Sequence, residues 1–127
     1  MLNKKTETRL RRAGKAVIID LVGDVTNQGQ ETIKNAYAEA LQSASERVFF
    51  NFGDTEYINT SGIAVLISIV MEAEKAGRKI GLFGMSAHYH KVFTLVRLPL
   101  YADMYRTEGE ALAALSPPAN PPRLRGD

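Results

Sequence analysis

The sequence predicts an α/β fold: a single domain whose mostly parallel central sheet of about five strands is opened by an antiparallel edge hairpin and covered by four helices. Three observations predict it. At 127 residues the chain has room for one ordinary domain, which can bury roughly two thirds of its unfolded surface. Hydrophobic residues at 45% and charged residues at 24% match globular averages, which excludes a disordered, collagen-like or fibrous chain. Helical periodicity then alternates with compact apolar runs, and that alternation demands crossovers between parallel strands.

Thr6 to Arg12 and Ala16 to Val22 flank Ala13-Gly14 and read as the strands of a hairpin. The second, Val17-Ile18-Ile19-Asp20-Leu21-Val22, is nearly continuous apolar, as an inner strand is, and Gly23-Asp24 ends it. From Gln30 to Ala44, Ile33, Tyr37, Ala40, Leu41 and Ala44 keep the spacing of one helix face, which predicts the first helix. Val48-Phe49-Phe50-Asn51-Phe52 lies between Arg47 and Gly53 and reads as a buried central strand, followed by a turn or loop through Tyr57. Ser61 to Ala76 is the second helix, begun by the capping residues Asn59, Thr60 and Ser61 and stopped by Gly77. Lys79 to Gly84 is the next strand, His88 to Leu98 a short third helix stopped by Pro99, and Met104 to Arg106 a brief last strand. Thr107 and Glu110 have the capping-box spacing that opens a terminal helix through Leu115. Four of the five prolines fall between Pro117 and Pro122, so the folded domain is expected over residues 1–115 and a Pro-rich disordered tail over 116–127.

Composition narrows the function. Without cysteine there is no disulfide framework, no thiol nucleophile and no zinc-finger cage. No apolar run approaches the ~20 residues that span a bilayer, and the opening MLNKKTETRLRR lacks the apolar stretch of a signal peptide, so the expected compartment is the cytoplasm, without membrane insertion. Six basic residues against Glu7 give the first fifteen residues +5, which leaves −3 for the remainder. Base-reading or stacking residues are missing from that basic segment, so it reads as a solvated edge strand that discourages edge pairing, and no nucleic-acid partner is expected. Gly84-Met85-Ser86-Ala87-His88 resembles a nucleophile elbow but has His88 where the second glycine belongs, so Ser86 reads as the cap of the third helix. His88 and His90, two apart, point about 200° from one another on a helix and do not share a metal readily. No phosphate-loop pattern occurs. The expectation is a protein without catalysis, metal or cofactor.

The informative segment is Asn59-Thr60-Ser61-Gly62. With Asn59 or Thr60 as the cap, the Ser61 hydroxyl lies in the first helical turn, where free N–H groups and the positive end of the macrodipole suit a phosphate. The plainer alternative is that these residues only cap. On a helical wheel with Ile63 at 0° and about 100° per residue, Leu66, Ile67 and Val70 fall between about 300° and 40°, which predicts the core stripe. Val65 and Ile69 fall away from its centre, beside the small Ala64 and Ser68, and this flank is a candidate docking surface. A neighbouring helix covering Val65 and Ile69 is the alternative. Glu74 falls inside the predicted core arc and reads as the helix outrunning the sheet.

These residues resemble the STAS domain, and specifically bacterial anti-sigma factor antagonists. Gly23-Asp24-Val25 is similar to that family's Gly-acidic-apolar step before the first helix. Phe50-Asn51-Phe52 followed by Tyr57-Ile58-Asn59-Thr60-Ser61-Gly62-Ile63 resembles its strand, loop and Asp-Ser/Thr-Ser/Thr-Gly signature. Lys91-Val92-Phe93-Thr94-Leu95, and later Glu110-Ala111-Leu112, are similar to its third and fourth helices. The resemblance implies that Ser61, with Thr60 as second choice, is phosphorylated by a partner that is both anti-sigma factor and serine kinase. Unphosphorylated antagonist would dock that partner and free a sigma factor, and a protein phosphatase would reset the phosphorylated form. Docking would use Asp24, Asn59, Thr60, Ser61, Gly62, Ala64, Val65, Ser68 and Ile69. Asn59 replaces the family's usual Asp and removes a negative charge. That departure motivates the alternative, a non-switching scaffold or assembly subunit of a stress-signalling complex or a transporter. Val96-Arg97-Leu98-Pro99-Leu100 departs from the family's Thr-Gly-Leu-like end to the third helix, a difference of local loop geometry. Self-association is left open.

Overall fold

The computed structural model describes residues 4–43 and 47–115. The Pro-rich segment 116–127, and Ala44 at the expected end of the first helix, lie outside the described residues. Strands β1 (Glu7–Ala13) and β2 (Ala16–Val25) form the antiparallel hairpin, with Glu7 opposite Val22 and Ala13 opposite Ala16. A 3-10 turn over Asn27–Gly29 leads into α1 (Gln30–Leu41). Then follow β3 (Arg47–Asn51), β4 (Thr55–Ile58), α2 (Thr60–Lys75), β5 (Ile80–Phe83) and α3 (Ala87–Leu95). After a second 3-10 turn, Leu98–Leu100, come β6 (Ala102–Tyr105) and α4 (Glu108–Ala113).

Among the described residues the sheet has six strands, ordered β1-β2-β3-β5-β6, with β4 on the end of β2. Every pairing except β1–β2 is parallel. The extra strand lies where the sequence suggests a loop. Asp24↔Tyr57 and Val25↔Ile58 are paired because β2 does not stop at Gly23. Gly23 sits at φ +92, where the register shifts, and its N–H donates to Asp54 O at 3.1 Å. A positive φ is open to glycine without steric cost, so the residue that looks like a strand end is a kink inside a longer strand.

Alternation splits the core into two layers. Val17, Ile19 and Leu21 of β2 face α1, α2 and α3, whereas Ala16 and Ile18 join Phe49, Phe83 and Ala111 of α4 on the other face. Both faces of β2 are covered, which is why its sequence is an apolar run instead of an alternating one. On the α4 face Asp20, only 5% exposed, accepts two bonds from Arg11 (2.8 and 3.0 Å) and one from Asn51 Nδ2 (2.9 Å). Arg11 also reaches Glu108 Oε1 at 2.9 Å, so one guanidinium joins β1, β2 and the start of α4. Burial pushes the Asp20 carboxyl up, but the bonds from Arg11 and Asn51 outweigh it and hold it below the usual aspartate range.

The third helix ends with Arg97 in the left-handed region at φ 70. A side chain there costs about 1–2 kcal/mol relative to glycine, so the departure at Val96–Leu100 is a strained turn.

Candidate functional site

Three contacts set the start of α2. The Asn59 N–H donates to Val25 O at 3.2 Å, and the Tyr89 hydroxyl of α3 accepts from Ile58 N at 2.9 Å, which fixes the approach to the helix. The Asn59 side chain accepts from Gly62 N at 2.7 Å, so Asn59 is the N-cap and Thr60, Ser61 and Gly62 form the first turn. Gly62 lies against the end of β2, where an added Cβ would collide with Val25 O. A glycine is required by this close approach, which seats the helix on the sheet.

The cap therefore leaves Ser61 in the second helical position, exposed, with Thr60 exposed beside it. No acidic residue occupies the first turn. The N–H groups of the first helical positions have no intrahelical acceptor, and Asn59 takes only that of Gly62. The local potential is positive and the hydroxyl faces outward, an arrangement that accepts an added phosphate without burial.

Four of the expected docking residues need correction. Val65 and Ile69, 5% and 1% exposed, are buried in the main core with Leu66, Val70 and Ala73. The true core stripe is 62, 65, 66, 69, 70 and 73, turned by roughly a quarter of the helix circumference from the predicted one. Glu74 marked the error, because in the true arrangement it is simply exposed. Ile63 and Ile67, expected at the centre of the core, are half-buried at its border. Gly62 is buried under the helix and offers no surface. Asp24, 7% exposed, accepts from Lys4 N at 3.0 Å while its own N–H donates to Lys4 O at 3.0 Å. Its carbonyl accepts from the Thr6 hydroxyl, so Asp24 anchors the chain before β1.

The residues that do share one exposed face are Thr60, Ser61, Ala64 and Ser68, with half-buried Asn59 at its head. Two functional candidates were missed. Tyr57, on the strand leading to the cap, is 48% exposed and presents an aromatic surface. Tyr89 positions the cap through Ile58, and nothing in the local sequence announces a contact across 31 residues.

The family model described as "Mlab, STAS domain" matches residues 8–99. No curated protein matches the chain in sequence. Among solved structures, the anti-sigma factor antagonist SpoIIAA in its unphosphorylated form is similar at 23% identity and TM-score 0.65, over 85% of this chain and 96% of that one. An anti-sigma factor antagonist from Mycobacterium paratuberculosis gives 14% identity and TM-score 0.74, over 87% and 93%. A murine Solute Carrier 26 family anion transporter, 12% identical with TM-score 0.70, is matched over 87% of this chain but 22% of its own. These likenesses establish the shared fold, and the match over residues 8–99 establishes the family: the chain belongs to the STAS domain family.

Proposed function

We propose that the protein is an anti-sigma factor antagonist: a phosphorylation-controlled binding switch, without catalysis of its own, that docks an anti-sigma factor/serine kinase and releases a sigma factor in the cytoplasm. The observation that carries this reading is the division of labour at the start of α2, where Asn59 makes the capping bond and Ser61 is left exposed in the first turn. The docking face is Thr60, Ser61, Ala64 and Ser68, extended by Tyr57. A protein phosphatase resets Ser61. Among the described residues no helix is long and apolar enough to cross a membrane. The STAS fold of SpoIIAA, whose structure is known in phosphorylated and unphosphorylated forms, supports the reading.

The test is to incubate the protein with its cognate anti-sigma kinase and ATP, then map phosphate by mass spectrometry. Labelling at Ser61 is expected. Labelling confined to residues other than Ser61 and Thr60 refutes the site, and no binding to any such kinase refutes the function.

A second reading, a permanent subunit of a larger assembly, is favoured by Asn59, which caps α2 without the charge of an aspartate. The same fold occupies about a fifth of the anion transporter. A stoichiometric complex isolated from cells and unchanged by Ser61→Glu supports this reading over switching.

A further inference from the structure

At the far end of α2 from Ser61, a cavity of about 190 Å³ opens between α1, β3 and the turn into β5. Among the described residues its charged lining is cationic: Arg47, Arg78 and Lys79. Asp103 on β6 pairs with Arg47 at 2.6 Å and with Lys79 at 3.4 Å, offsetting one of the three charges. Leu41, Val48 and Ile80 supply an apolar wall.

Tyr37 also lines the cavity. It is 5% exposed, and its ring lies 6.3 Å from that of Phe50, stacked in the core. Its hydroxyl has no hydrogen-bond partner among the described residues. A buried hydroxyl with no partner among the described residues retains a donor that a ligand in the cavity can use. Burial raises the Tyr37 pKa above the ordinary tyrosine value, with Glu72 adding to the rise and Arg78 opposing it, so the hydroxyl keeps its proton and can donate.

We propose that this cavity binds a small phosphomonoester, its oxyanion taken by the Tyr37 hydroxyl and the Arg78 guanidinium and its carbon skeleton set against Leu41, Val48 and Ile80. Among the described lining residues the polar side chains are three cationic donors and a hydroxyl that can donate, which suits an anion. The volume equals that of roughly six liquid waters at about 30 Å³ each, more than one tetrahedral ion fills, and the apolar wall suits carbon beyond it. The site is independent of the proposed switch and lies at the other end of a helix of about 24 Å.

The experiment titrates glycerol 3-phosphate, inorganic phosphate and glycerol into the isotope-labelled full chain at constant ionic strength, following the amide signals of Gly77, Arg78, Lys79 and Ile80 by NMR. Saturable shifts with both phosphates, tighter for the ester, and none with glycerol are expected. Equal affinity for inorganic phosphate identifies the free ion as a source of the same oxyanion chemistry. Tyr37→Phe and Arg78→Gln, each shown folded by its spectrum, weaken binding by about tenfold or more, since each removes a hydrogen bond to a charged group. Absence of saturable shifts at these amides overturns the proposal, as does binding by both variants with wild-type affinity.

Discussion

Two serines stand at the starts of two helices that follow strands, and their surroundings give them different roles. Ser86 is itself the N-cap of α3, its Oγ accepting from Tyr89 N at 3.2 Å. Ser61 stands two residues beyond the cap of α2, and Asn59 makes the equivalent bond at 2.7 Å. The difference teaches that position relative to the cap, more than residue type, decides whether a hydroxyl is structural or available for chemistry. The same distinction runs along α2, where Val65 and Ile69 are structural and Ala64 and Ser68 face outward.

The largest effect expected separates those two faces. Ile69→Ala leaves a cavity in the main core and costs about 2–5 kcal/mol in urea unfolding, whereas Ser68→Ala changes stability by no more than about 0.5 kcal/mol. Equal small effects would put Ile69 back on the surface and break the comparison. Next comes Asp20, a polar group that is structural because its partners surround it. Asp20→Ala removes the acceptor of Asn51 Nδ2 and leaves Arg11 only Glu108, and costs about 1–3 kcal/mol. Because the folded carboxyl is held below its unfolded value, its contribution is fully present above the ordinary aspartate range and lost as pH falls through the lowered value. Acid unfolding of the wild type below about pH 4 is therefore steeper than that of Asp20→Asn.

The two caps come third. Asn59→Ala and Ser86→Ala each cost about 1 kcal/mol, while Ser61→Ala stays within about 0.5 kcal/mol, read by thermal unfolding. A Ser61→Ala loss as large as that of Ser86→Ala would erase the distinction between the serines. The smallest effect sharpens it: Asn59→Asp keeps the acceptor, adds charge at the positive helix end and stabilises by up to about 1 kcal/mol at low ionic strength, less in salt.

The alternation of elements was legible because capping residues, glycines and prolines punctuate it, and because β2 and β3 are too apolar to face water. The capped serine was legible for the same reason: caps are local. What failed was long-range. Thr55-Glu56-Tyr57-Ile58 has too little apolar content to announce a strand and is held only because β2 continues past Gly23. The face of α2 was misread because Gly62 has no side chain to count, yet it is the residue that meets the sheet, while Ile63 and Ile67 look like core and lie at its border. The Arg11–Asp20–Asn51–Glu108 cluster joins residues up to 97 apart, and no spacing rule reaches that far.

The central claim, that the α2 start is an exposed and fold-independent switch, is tested most directly by measuring stability and kinase binding together in Ser61→Asp. A negative charge in the first turn of a helix is tolerated or slightly favourable, so the fold should not respond. A partner surface that must desolvate or repel that charge loses several kcal/mol at one contact, at about 1.4 kcal/mol per decade of affinity. The predicted result is a Tm within a few degrees of wild type and binding to the anti-sigma kinase weakened at least ~30-fold. Normal binding by a folded Ser61→Asp protein would contradict the electrostatic switch, and loss of folding would contradict the exposed first-turn serine on which it depends.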